Sequence, residues 1–193
     1  MKPIPTYDQF LNESKQVGIL YHYTYYEALV KILESGKLLS GYNDKYGSIA
    51  NPISDISFTR NKNFHKTKAK LVSGPPHCRI VIDGDKLSNN YSIQPYAQEG
   101  FVKNSDYFES EEVIRGAKPF SIPIEKYIIS IDFDKDFSDK YHDYHWIYEF
   151  QVKSAKMCKE MRIPLNVVDS NGNSVPKKEK ESFLQKLLSK INL

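Results

Sequence analysis

Three short, separated segments carry the side chains that could do chemistry. They are His22-Tyr23-Thr24, Ser57-Phe58-Thr59-Arg60 and Glu109-Ser110-Glu111-Glu112. The first lies at the end of a predicted strand and directly before a predicted helix, where free backbone N–H groups favour phosphate. His22 and Thr24 are therefore placed to hold a phosphate-bearing ligand over that helix. The alternative is a buried histidine in an ordinary strand–helix unit, with the acidic segment an exposed loop or edge strand.

The elements that must position these segments follow from hydrophobic periodicity. Apolar residues recur at three- and four-residue spacing in the stretch Tyr25–Leu39, which predicts an amphipathic helix that stops at Gly36. Period-two alternation predicts a strand over Ile56–Arg60, with Ser57 and Thr59 on one face. Further strands are predicted at Arg79–Asp83, Tyr91–Tyr96, Tyr127–Phe133 and residues 161–168.

The rest of the chain is predicted to form loops, turns and two more helices. Residues 40–56 are rich in Gly, Ser, Asn, Asp and Pro and are predicted as a loop, and turns are predicted at Asp83-Gly84-Asp85 and Asp169–Asn173. A helix is predicted to begin at Ser138, and an amphipathic helix is predicted over Lys177–Leu193. Short strands mixed with few helices favour an α+β fold over a doubly wound one.

Composition sets the broad class. The 193 residues are 40% hydrophobic and 26% charged, which is typical of one globular domain. No run approaches the roughly 18–20 apolar residues of a membrane span, so no membrane partner is expected. The net charge of +3 does not demand a nucleic-acid partner. Residues 60–70, however, contain five Lys and Arg side chains and no acid, which suits either a solvated loop or contact with phosphates.

No metal site is predicted. Cys78 and Cys158 lack CxxC or Cys/His ligand spacing, so a reducing cytosol is the default compartment and Cys78 is predicted to be core. His142 and His145 lie three residues apart beside Asp143, but no third ligand has suitable spacing. A packing role is therefore favoured for that segment.

The order of the three segments resembles that of the ADP-ribosyltransferases, most closely the branch of DNA-modifying ADP-ribosyltransferase toxins and their phage relatives. The likeness covers roughly residues 19–133. In that family a first-strand His or Arg grips the cofactor, a middle-strand Ser-x-Thr frames the nicotinamide end, and a late Glu drives catalysis. The resemblance implies an ADP-ribosyltransferase-like fold: two short-stranded mixed or antiparallel sheets around an NAD-binding cleft, with flanking helices.

The resemblance also implies roles for individual residues. NAD+ would be bound by His22, Tyr23, Thr24, Ser57, Thr59 and Arg60. His22 would hydrogen-bond the adenosine ribose, and Thr24 or the helix N-terminus would take a phosphate. Arg60 would pair with the pyrophosphate, for which its planar fork is suited. The candidates for stacking on nicotinamide are Tyr42, Tyr46 and Phe64.

Catalysis is assigned to Glu112, with Glu111 as the second choice. A carboxylate stabilises the positive charge that builds on the ribose as its bond to nicotinamide breaks. Glu112 precedes the apolar pair Val113-Ile114, which matches the placement of the catalytic Glu in the toxin branch. A Glu-x-Glu arrangement would instead point Glu109 and Glu111 the same way.

The first thirteen residues are predicted to stand apart from a single domain at 14–193. They resemble the capsid-targeting leader of the internal head proteins of T-even-like bacteriophages, which is cut after an apolar–x–Glu sequence such as Leu11-Asn12-Glu13. An N-terminal helix docked on the domain is the alternative.

The resemblance implies an enzyme that transfers ADP-ribose from NAD+ to a macromolecule, with nucleic acid slightly favoured over protein as acceptor. It would be a phage-encoded monomer that acts in the host cytoplasm, and it would be packaged in the phage head if the leader is real. RNA 2′-phosphate transfer ranks lower. The alternative from another class is an inactive ADP-ribosyltransferase-like binding protein that captures a nucleotide or inhibits a host factor.

Overall fold

In the computed structural model of the protein, residues 17–43, 53–64, 76–95, 111–140 and 145–189 are described. The described strands are β1 (Ile19–Thr24), β2 (Lys37–Leu39), β3 (Gly41–Asn43), β4 (Ile53–Thr59), β5 (Cys78–Asp83), β6 (Gln94–Pro95), β7 (Glu111–Gly116), β8 (Ser121–Pro123), β9 (Ile128–Asp134) and β10 (Leu165–Val168). The described helices are α1 (Tyr26–Ser35), α2 (Gly84–Ser88), α3 (Lys135–Lys140), α4 (His145–Glu160) and α5 (Lys177–Ser189), with a 3-10 turn at Ile124–Lys126. The predicted leader lies outside the described residues.

One large sheet dominates the fold. Its strands follow the order β10-β9-β5-β1-β4-β7-β6, and β3 also pairs with β4. The β9–β10 pair is parallel, whereas the other pairs are antiparallel. Strands β2 and β8 form a separate two-stranded sheet. A mixed sheet, a small second sheet and several helices confirm the α+β prediction.

The two faces of the large sheet differ in character, because successive side chains of a strand point to opposite sides. The helix face carries Leu20, Phe58, Ile80 and Ile131, which join one buried core with apolar residues of α1, α4 and α5. On the opposite face lie Tyr21, Tyr23, Arg79 and Asp132, which contact one another. We call this side of the sheet the network face. The candidate site is therefore described below by the face on which each side chain lies.

Helix α1 ends where the sequence predicts. Its stop is Gly36, whose φ of 65° is left-handed, as expected for a glycine stop. Residues 37–39, for which no strand was predicted, form β2. Leu38 pairs there with Ile122 of β8, and both side chains are buried. The left-handed turn redirects the chain, and burial of each apolar side chain contributes roughly 1.5–3 kcal/mol.

Three predictions on local structure were wrong in part. The predicted loop 40–56 contains β3 and the start of β4, which pair with each other in a register that composition does not reveal. The predicted turn at Asp83-Gly84-Asp85 is the start of α2, because the Asp83 carboxylate accepts a hydrogen bond from the Lys86 N–H at 2.9 Å and caps the helix. In the predicted strand Tyr91–Tyr96, residues 91–93 are not strand and Gln94–Pro95 form β6, while Tyr96 lies outside the described residues.

Other predicted elements match the structure more closely. Strands β5 and β9, the turn at Asp169–Asn173 and helix α5 are confirmed. Ser138 lies inside α3, which begins at Lys135, and a second helix, α4, follows. The predicted strand at 161–168 begins only at Leu165, because α4 ends in a turn with Arg162 in the left-handed region (φ 58°).

Candidate functional site

Three side chains from neighbouring strands, and a fourth from the residue after one of them, lie on the helix face. His22 lies on β1, Phe58 on β4 and Glu112 on β7, where Glu112 pairs directly with Phe58 in the strand register. The His22 and Phe58 rings are 6.0 Å apart, centre to centre, in an edge-to-face contact. Arg60 follows β4 and forms an ion pair with Glu112. The structure thus places His22, Arg60 and Glu112 on one face of neighbouring strands, with Phe58 between His22 and Glu112. We call this group the His22–Glu112 site.

The hydrogen bonding of His22 defines its chemical role. Its Nδ1 lies 3.0 Å from the main-chain oxygen of Ser57. Since a carbonyl can only accept, Nδ1 carries the proton, and in the neutral ring Nε2 is an acceptor. Burial lowers the pKa of His22, although the hydrogen bond to Ser57 opposes this shift. The ring is therefore neutral at pH 7, and its Nε2 can accept a hydrogen bond from a hydroxyl group.

Glu112 is a shielded carboxylate with a basic partner. Its side chain is 12% exposed and that of Arg60 is 30% exposed. Burial raises the pKa of Glu112, and the Arg60 guanidinium partly offsets this increase. A carboxylate in such a low-dielectric setting interacts with a nearby positive charge more strongly than one in water. The pair therefore combines an anion that can stabilise a developing cation with a cation that can bind phosphate.

Three predicted cofactor-binding residues lie on the network face instead. Tyr23 is buried there, and its hydroxyl donates to the Asn61 main-chain oxygen at 2.8 Å. Thr59 pairs with Tyr21, so it shares that face, and its Oγ1 accepts from the Asn61 N–H at 3.0 Å. Ser57, two residues before Thr59, shares the same side of β4. The sheet thus separates these residues from the His22–Glu112 site, and their assignment to NAD+ stays a prediction.

The remaining predicted residues are placed as follows. Thr24 is on the helix face and buried at the end of β1, where its carbonyl accepts from the His77 N–H at 3.0 Å. Glu111 pairs with Thr59 in the register of β4 and β7. Its side chain lies outside the described part of the chain, as does Glu109.

Phe64, one of three residues predicted to stack on nicotinamide, is fully buried. Its ring packs edge-on against Tyr23 with centres 4.8 Å apart. It is therefore a core residue of the network face and does not present a ring to a ligand. The side chain of Tyr42 and all of Tyr46 lie outside the described residues.

The buried residue His77 lies next to Cys78, which is core as predicted. The His77 ring stacks on Phe137 with centres 4.0 Å apart, and it also contacts Tyr25 and Tyr26. Its Nδ1 is buried and has no hydrogen-bond partner among the described residues. Burial lowers the pKa of His77 from 6.5 to about 4. The aromatic surroundings thus favour the neutral ring.

We expect His77 to make the protein less stable in acid. The unfolded chain binds a proton near pH 6.5 whereas the folded chain resists it down to about pH 4. The free energy of unfolding should therefore fall by about 2 kcal/mol between about pH 7.5 and about pH 5 through this group alone. Urea unfolding at both pH values measures the loss, and a His77→Phe variant should lose that much less. Equal losses in the two proteins would exclude His77 as the cause.

The chain matches no protein-family model and no curated protein sequence. Among the helices of the described residues, none is long and apolar enough to cross a bilayer. The same residues contain no group of three or more His, Cys, Asp or Glu side chains that could hold a metal ion.

Proposed function

We propose that this protein transfers ADP-ribose from NAD+ to a macromolecular acceptor at the His22–Glu112 site. The supporting observation is that His22, Arg60 and Glu112 lie on one face of three adjacent strands, with Arg60 and Glu112 in an ion pair. These residue types match the three demands of NAD+ cleavage, namely a partner for a ribose hydroxyl, a cation for the pyrophosphate and a carboxylate for the reacting ribose. The α+β sheet is then the ADP-ribosyltransferase-like fold with its NAD-binding cleft at this edge.

Each residue has one task in this proposal. The Nε2 of neutral His22 accepts a hydrogen bond from a ribose hydroxyl, while Ser57 fixes the ring through Nδ1. Arg60 binds the pyrophosphate, which requires the guanidinium to leave Glu112. Displacing Arg60 would leave the Glu112 carboxylate without its counter-charge beside the bound dinucleotide. Cofactor binding itself would therefore activate the carboxylate.

The reaction breaks the bond between nicotinamide N1 and ribose C1′. The electron pair of this bond leaves with nicotinamide, and positive charge develops over C1′ and the ring oxygen of the ribose. Glu112 stabilises that charge, and a hydroxyl or amine of the acceptor then bonds to C1′. The proton lost by the acceptor passes to Glu112 or to solvent. The products are nicotinamide, the ADP-ribosylated acceptor and a proton.

Nucleic acid is the acceptor slightly favoured over protein. Arg60 and Lys62 open the basic run 60–70 directly beside the site, and Lys62 is exposed. The later residues of that run lie outside the described residues. The further proposal is that the enzyme is a phage-encoded effector or counter-defence protein of the host cytoplasm.

The second candidate is a binding protein that holds a nucleotide without turnover. One observation favours it: the ion pair between Arg60 and Glu112 occupies both of the charged groups that catalysis needs. A ligand that releases only Arg60, without bringing its ribose to Glu112, would bind and not react. The two candidates therefore differ in nicotinamide release and agree in nucleotide binding.

We expect the purified protein to release nicotinamide from adenylate-labelled NAD+ and to label an acceptor in host lysate. A His22→Phe variant keeps the ring contact with Phe58 but loses the acceptor nitrogen, so it should raise the KM for NAD+ by about 10–100-fold. His145→Phe is the control, because the His145 side chain is 86% exposed and distant in sequence. Nuclease or protease treatment of the labelled product identifies the acceptor class. Binding without nicotinamide release would support the second candidate, and no binding would overturn both.

A further inference from the structure

A buried ion pair lies on the network face, on the opposite side of the sheet from the His22–Glu112 site. Arg79 Nε and Nη2 lie 2.9 and 2.8 Å from Oδ2 of Asp132, and both side chains are almost completely buried. The guanidinium also lies over the Tyr21 ring, 4.3 Å from its centre. Sequence reasoning missed this pair, although a charged residue inside each of two apolar strands was a visible signal.

The pair is connected to the main chain that directly follows Arg60. Arg79 Nη1 donates to the carbonyl of Lys62 and lies 3.2 Å from the Tyr23 hydroxyl. That hydroxyl in turn donates to the carbonyl of Asn61. The first two residues after Arg60 are thus hydrogen-bonded through their main-chain oxygens to side chains of β1 and β5.

A second set of contacts ties the same segment to the turn at residues 169–173. Phe64 N–H donates to the Ser170 carbonyl at 2.9 Å, and Lys62 Nζ lies 2.8 Å from Asn173 Oδ1. Gly172, with a left-handed φ of 77°, contributes its carbonyl to Arg79 Nη2 at 3.3 Å. A methyl group added at Gly172 would collide with the Lys62 carbonyl. The network therefore permits little displacement of residues 61–64.

Arg60 lies at the point where the chain passes from one face to the other. Its side chain contacts Glu112 on the helix face, whereas the next two carbonyls are bound on the network face. We propose that Arg79, held by Asp132 and Tyr23, is a positioning residue that fixes how the chain leaves β4 and so aims Arg60 at Glu112 and at the pyrophosphate of a bound dinucleotide. The role of Arg79 in pyrophosphate binding rests on the proposed function, whereas its role in orienting Arg60 towards Glu112 does not.

This arrangement gives Tyr23 a role different from the one predicted for it. Tyr23 would influence NAD+ binding through the position of Arg60, without touching the dinucleotide. Tyr23→Phe is the sharpest variant, because it removes the hydroxyl that links Asn61 to Arg79 and keeps the ring that packs on Phe64. Tyr148→Phe is the matched control, since the Tyr148 hydroxyl also donates to a main-chain carbonyl, that of Lys186.

The ligand-free test is an NMR titration of the Glu112 carboxyl group. Arg60 holds the pKa of Glu112 below the value that burial alone would give. Tyr23→Phe should therefore raise that pKa by about half a unit, and Tyr148→Phe should not. In an Arg60→Met background the same Tyr23 substitution should have no effect, because Arg60 carries the coupling. An unchanged pKa in Tyr23→Phe, or an equal shift in both backgrounds, would overturn the proposal.

The kinetic test compares the native protein, Tyr23→Phe, Arg60→Met and the double variant with NAD+ as substrate. Tyr23→Phe should raise the KM about tenfold with kcat within about twofold, and add nothing to the loss caused by Arg60→Met. Additive losses would mean that Tyr23 acts on the dinucleotide independently of Arg60, against the proposal. If the native protein neither binds nor cleaves NAD+, the proposed function fails, and the Glu112 titration alone decides whether Arg79 and Tyr23 position Arg60.

Discussion

Replacing Glu112 by glutamine is expected to lower the rate of nicotinamide release and ADP-ribose transfer by about a thousandfold. Glutamine keeps the size of the side chain and its place opposite Phe58, but it carries no negative charge to stabilise the cation that develops on the ribose. The same change frees Arg60 from its ion pair, so the variant should bind NAD+ at least as tightly as the native protein. A loss confined to kcat, with equal or lower Kd, is therefore the expected result.

Two further variants make this result specific. Glu125→Gln changes an exposed carboxylate of the 3-10 turn and should leave the rate unchanged. Glu111→Gln tests the neighbouring residue, which pairs with Thr59 in the same strand. If Glu111→Gln abolished turnover and Glu112→Gln did not, the catalytic assignment would move by one residue and to the other face. Nicotinamide release and calorimetric binding of NAD+ provide the two measurements.

The residues of the His22–Glu112 site could be predicted from the sequence because each belongs to a short local pattern. His22 stands before an amphipathic helix, Arg60 ends an alternating strand, and Glu112 precedes an apolar pair. The pairing of β4 with β7 decides which of their neighbours share a face, and it joins residues more than fifty positions apart. No local pattern contains that register, so Ser57 and Thr59 were grouped with His22 although the sheet separates them.

The difference between local sequence patterns and long-range strand pairing also explains which parts of the fold were predicted. Gly36 ends α1 by its own backbone conformation, and the apolar run of β5 forms a buried strand in almost any context. Strand β3 exists only because it pairs with β4, and its three residues have the composition of a loop. Arg79 and Asp132 are 53 positions apart in the sequence. Their contact depends on the pairing of β5 with β9, which no local pattern contains.

The second large effect is expected on stability, from Asp132→Asn. Asp132 is buried and accepts hydrogen bonds from Arg79, from Ser130 Oγ at 3.1 Å and from Asn166 Nδ2 at 3.0 Å. The variant leaves the buried Arg79 charge without a counter-charge, which should lower the free energy of unfolding by about 3–5 kcal/mol. Urea unfolding with an unchanged m-value measures this loss.

Two comparison variants distinguish the cost of a buried, unpaired charge from the cost of losing an exposed ion pair. Glu27→Gln breaks the ion pair with Lys31. The Lys31 side chain is 70% exposed and that of Glu27 is 50% exposed, so the change should cost no more than about 0.5 kcal/mol. The double variant Arg79→Met with Asp132→Leu removes both buried charges, so it should be more stable than Asp132→Asn alone. It should not regain native stability, because the Lys62 carbonyl loses its donor. If Asp132→Asn cost no more than Glu27→Gln, the network face would not hold residues 61–64 in place, and the aiming of Arg60 would need another cause.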